Sequence, residues 1–85
     1  MNTQTATKDD VERTPRGLIP LKRELAERLR GLEGLAGVGI GVAADGLPGL
    51  RVNLLESAPA TTRNHIPRHF HDVPVVVVMV EQPRM

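Results

Sequence analysis

The stretch Gly37-Val38-Gly39-Ile40-Gly41-Val42 decides the class of fold. Branched apolar residues alternate with glycine, so Val38, Ile40 and Val42 share one face of a strand and Gly37, Gly39 and Gly41 form the other. Glycine weakens a strand interior unless something approaches closely. The pattern therefore predicts that a helix or another chain lies against the glycine face. Ala44-Asp45-Gly46 is a turn signal that Leu47-Pro48-Gly49 extends, and Leu50, Val52 and Leu54 resume the alternation. Two strands joined this way make a hairpin.

Upstream the period changes. Leu21, Leu25, Leu29 and Leu32, with Leu18 just before them, recur at three- and four-residue intervals and predict an amphipathic helix from Pro20 to Leu32. Pro20 suits a first helical turn, Gly31 and Gly34 offer stops, and Glu24/Arg28 and Arg23/Glu27 are spaced for outward ion pairs.

Downstream, Ser57 to Asp72 reads as an irregular connection containing Pro59, Pro67 and all three histidines, with a short helical turn near Pro67 to Phe70. A last strand follows. Val73, Val75, Val77 and Met79 face one way and Val76, Val78 and Val80 the other, so both sides are apolar and both need cover. The expected architecture is α+β, in the order α-β-β-x-β, with one helix packed on a three-stranded sheet. A single short helix shields only one side of such a sheet, so association with another molecule follows as an expectation. The residues predicted to carry it are Gly37, Gly39 and Gly41 on the first strand and Val76, Val78 and Val80 on the last. Asp72, Pro74, Glu81 and Pro83 flank the valine run as gatekeepers against random pairing.

Composition limits the remaining choices. The 85 residues allow one small domain, over 18–85, preceded by a polar segment over 1–17 that carries too little apolar surface to offset the entropy of ordering and is expected to be a disordered tail. That segment has no apolar region of the kind a secretory signal needs, and the Val73–Val80 run is far shorter than the ~20 residues that span a bilayer. With no cysteine, these features lead to the expectation of a soluble, cytoplasmic protein that does not bind membranes. Eleven basic residues against ten acidic ones leave a net charge of +1, too weak a field to predict nucleic-acid binding. Phe70 is the lone aromatic, so the stacking platforms that single strands require cannot be built.

Four motifs invite chemistry. His65, His69 and His71 beside Asp72 are possible zinc donors, but Pro67 interrupts the turn that would align them. Gly39-Ile40-Gly41-Val42-Ala43-Ala44 matches a dinucleotide fingerprint in letters only, because a turn and not a helix follows it. Ser57, the single serine, lacks the strained elbow and oxyanion loop of a hydrolase nucleophile. Gly31-Leu32-Glu33-Gly34 has the letters of the KH-domain loop but leads into a strand. No enzymatic role and no cofactor are expected. The alternative is a small metal- or nucleic-acid-binding regulator using the His/Arg loop over residues 63–72, including Arg63 and Arg68.

The succession of amphipathic helix, Val38-Gly39-Ile40-Gly41-Val42, Asp45-Gly46, a strand ending at Glu56, Ile66-Pro67 and Asp72-Val73-Pro74-Val75-Val76-Val77-Val78 before Glu81 resembles a known module. It is similar to the small α/β domain N-terminal to trypsin-like serine protease domains in bacteria and in the plant narrow-leaf type of protease. A looser resemblance is to the BON domain. Both imply a binding surface and no chemistry. No protease body lies within these residues, so no catalytic triad is carried over.

Overall fold

A computed structural model describes residues 13–81. Two helices and four strands follow in the order α1 (Ile19–Arg28), β1 (Leu35–Val42), β2 (Pro48–Leu55), α2 (Ala60–Asn64), β3 (His69–Phe70) and β4 (Val73–Val80). The fold is α+β, with α1 packed on a mixed sheet ordered β1-β2-β4-β3. The helix, hairpin and last strand lie where periodicity predicts them. Two differences concern the connection. Its helical turn forms at Ala60–Asn64, directly after Pro59, and not at Pro67 to Phe70, where His69 and Phe70 pair with β4 instead. His69–Phe70 becomes a fourth strand, where three were expected. Two residues are too few for alternation to show.

Helix α1 ends at Arg28, short of Leu32, and a tight turn through Gly31, at φ +88°, carries the chain on. Leu18, Leu21, Leu25 and Leu29 are all buried. Glu24 pairs with Arg28 at 3.7 Å as its spacing suggests, whereas Glu27 is met by Arg30 at 3.2 Å. The hairpin register sets Val38 opposite Val52 and Ile40 opposite Leu50, with a bulge between Leu35 and Gly37. Strand β4 lies parallel to β2, Leu50 beside Val75 and Val52 beside Val77. Paired residues share a face, so Val38, Ile40, Leu50, Val52, Leu54, Val73 and Val75 line the side toward α1. There they join the four helix leucines, Ala58, Ile66 and Phe70 in one core. A parallel pair requires a crossover, and here α2 and the loop after it supply one. Thr62 anchors it by donating its hydroxyl to the Glu33 carbonyl at 2.7 Å.

The expected tail falls partly on residues 1–12, outside the described residues. Its last part is held: Thr14 Oγ1 accepts the Gly17 N–H, and Arg13 donates to both Asp45 carboxylate oxygens, at 2.6 and 3.0 Å, and to the Pro48 carbonyl. The Arg13 hydrogen bond, followed by that from the Leu47 N–H, lowers the pKa of the Asp45 carboxyl. A group depressed in the folded state contributes stability above its unfolded pKa and loses it as pH falls through the folded one. Asp45→Asn should therefore lower the melting temperature at neutral pH, with the gap to the parent closing in acid. Paired thermal melts across that range check it, and a gap that persists in strong acid contradicts the ion pair.

Candidate interaction surface

The side of the sheet away from α1 carries Gly37, Gly39 and Gly41 on β1, Arg51, Asn53 and Leu55 on β2, and Val76, Val78 and Val80 on β4. None of these residues belongs to the core cluster. All six predicted interaction residues thus share one face. They do not form one patch. Arg51 stands beside Val76 and Asn53 beside Val78, so a polar row on β2 separates glycine from valine.

Of the two covers expected for the glycine face, a helix or another chain, α1 is not the one, because the branched residues of β1 point to the helix and the glycines point away. What approaches the glycines is a side chain. A Cβ at Gly41 would lie 3.3 Å from Arg51 Cβ and 3.4 Å from its Cδ, and one at Gly39 would lie 3.8 Å from its guanidinium. The aliphatic stem of Arg51 lies across the bare backbone, as long charged side chains do over apolar ground.

Periodicity calls for Val77 and Met79 to be covered. They are 43% and 39% exposed. They share a face with Val73, which is buried, but α1, at 1.5 Å per residue, is about 15 Å long, against about 26 Å for β4. The helix also packs mainly on β1, so it cannot shield the whole of β4. The signal was available in the ratio of the two lengths, not in either pattern alone. Val76, Val78 and Val80 are half-buried, so the second half of β4 is incompletely covered on both sides.

The histidine loop does not gather a metal site. His65 Nδ1 is 2.8 Å from the Thr61 carbonyl, His71 Nε2 is 3.3 Å from a Glu24 oxygen, and His69 is exposed. Among the described residues no three His, Cys, Asp or Glu side chains converge. The loop instead borders a half-open groove of about 360 Å³ lined by Leu25, Arg28, Leu29, His65, Pro67 and Phe70. The Arg28 guanidinium caps the Phe70 ring at 5.6 Å and also reaches Glu24, so its charge is largely answered within the chain. Ser57 is exposed in the turn after β2. No helix among the described residues is long and apolar enough to cross a membrane.

No family model, curated protein or solved structure matches this chain. Its most unusual feature is β4, a strand of eight residues with no charge and only Pro74 to interrupt its aliphatic run, whose second half is left partly open.

Proposed function

We propose that this chain is a non-enzymatic protein-interaction module of the cytoplasm that completes its apolar surface by assembling with another copy of itself or with a larger protein. The observation that carries this is the incomplete cover of β4: Val77 and Met79 are exposed on the side toward α1, and Val76, Val78 and Val80 lie on a face that no core residue shares. Apolar surface of this kind, rimmed by Arg51 and Asn53, is typical of association sites. The resemblance to domains that sit beside trypsin-like proteases makes a protease-type protein the first larger partner to test.

The experiment compares the parent chain with a Val76→Lys/Val78→Lys variant by sedimentation and by co-purification from the native host. The parent should self-associate or hold one stoichiometric protein. The variant should lose that association while its thermal melt stays close to the parent's, because both positions lie outside the core. A parent that is monomeric and retains nothing the variant loses would defeat the reading.

A further inference from the structure

Strand β4 has a second edge, and two hydrogen bonds fix how its backbone faces that edge. Val75 donates its N–H to the Arg68 carbonyl at 2.8 Å, on the β3 side, and the Val80 carbonyl accepts the Glu56 N–H at 3.1 Å, on the β2 side. Backbone groups alternate sides along a strand, so Val77 and Met79 follow Val75 and turn their N–H and C=O groups away from β2. Strand β3 pairs only with Val73 and Pro74. Past Val75 the edge is open among the described residues. The two residues whose backbone faces it are thus the same two whose side chains are most exposed on this strand. Natural edges are usually blunted by charge, proline or a bulge, and Val75 to Val80 carries none of these.

We propose that this edge pairs antiparallel with the same edge of a second copy of the chain, about a two-fold axis at Val78, so that two sheets join into one. The inference rests on the assembly reading above and specifies its occupant and geometry. In this register Val77 faces Met79 of the other copy and each such pair exchanges both backbone bonds. Val78 meets Val78, and Val76 meets Val80, extending the valine row across the axis. Arg68, opposite Val75, sets the limit of the lane: with the axis at Val78 the whole strand of the other copy fits as far as its Val80, whereas an axis one residue earlier, at Val77, would drive its Met79 and Val80 onto positions that β3 already fills.

Charge favours a second copy over an unrelated strand. Strand β3 and the incoming β4 run in the same direction and meet end to end along this edge. Val80 of the other copy stops opposite Val76, the last free place, and its Glu81, which the register would otherwise set on Arg68's own position opposite Val75, leaves the strand there next to Arg68. Both residues are exposed, and neither has an ion pair among the described residues. The two-fold axis makes this contact twice. The other outer strand, β1, is a poorer template, with glycine at every second position and Val38 and Ile40 already packed in the core.

Sedimentation equilibrium of the full chain over the micromolar range tests the arrangement. The parent should form dimers and no larger closed species. Val77→Pro removes an N–H that β2 does not use; it should weaken the dimer about thirtyfold or more. Glu81→Arg should weaken it about tenfold through repulsion at both ends, and Glu81→Arg with Arg68→Glu should bring affinity back to within about threefold of the parent. That rescue keeps the test decisive should the proline variant not fold. If the double-lysine variant abolishes association while Val77→Pro and Glu81→Arg associate like the parent, edge pairing is wrong and the assembly reading survives. A monomeric parent bound to some other protein likewise overturns edge pairing and leaves assembly standing. A monomeric parent with no bound protein ends both.

Discussion

Gly34→Ala should cost about 2 to 5 kcal/mol of stability, and it is the most damaging single methyl that a glycine among the described residues can receive. Gly34 sits at φ +84°, where an L side chain costs about 1 to 2 kcal/mol. A Cβ there would also overlap the Ala58 Cβ and lie 2.6 Å from its Cα. The backbone after β2 must move to make room, at a further cost of about 1 to 3 kcal/mol. The same glycine accepts the Leu55 N–H through its carbonyl at 2.8 Å, so displacement also disturbs the end of the hairpin. Gly31→Ala is the matched control. Its φ is +88° but nothing lies within 4 Å of the added carbon, so it should cost only the conformational part, about 1 kcal/mol. Urea midpoints of the two variants check this, and equal losses would contradict the packing at Ala58.

Leu50→Ala should be at least as severe. Leu50 is fully buried between Ile40 on one neighbouring strand and Val75 on the other. Truncating a buried leucine costs about 3 to 5 kcal/mol when the site cannot collapse, and a sheet centre collapses poorly. A domain of this size has about 3 to 10 kcal/mol in total. Denaturant unfolding should find about a third or more of the stability lost and the midpoint shifted to correspondingly lower denaturant. Val77→Ala provides the contrast, since a side chain so exposed should change stability by no more than about 0.5 kcal/mol.

Patterns longer than two turns of helix or three alternations of strand were legible in the sequence. The leucines of α1, the Val/Gly alternation of β1 and the valine run of β4 each repeat often enough to fix a period, and the structure forms all three. Features made by one or two residues were not. Strand β3 has two, and its turn into β4 uses His71 and Asp72 at φ +51° and +65°, a left-handed pair that asparagine and glycine would have signalled. The contact of Arg51 with Gly39 and Gly41 depends on strand register, which alternation alone does not set. The candidate surface was half legible. Alternation put Val76, Val78 and Val80 on one face, but the exposure of Val77 and Met79 depends on how the length of α1 compares with that of β4, which neither pattern shows alone.

The parallel placement of β4 beside β2 governs the order in which the chain can fold during synthesis. The hairpin leaves the ribosome first, and the inner flank of β2 must wait for a strand separated from Leu55 by seventeen residues. At about 5 to 20 residues per second that wait is on the order of a second. For that interval Leu50, Val52 and Leu54 lack the neighbour that later encloses them, and the nascent hairpin is a natural client for chaperones.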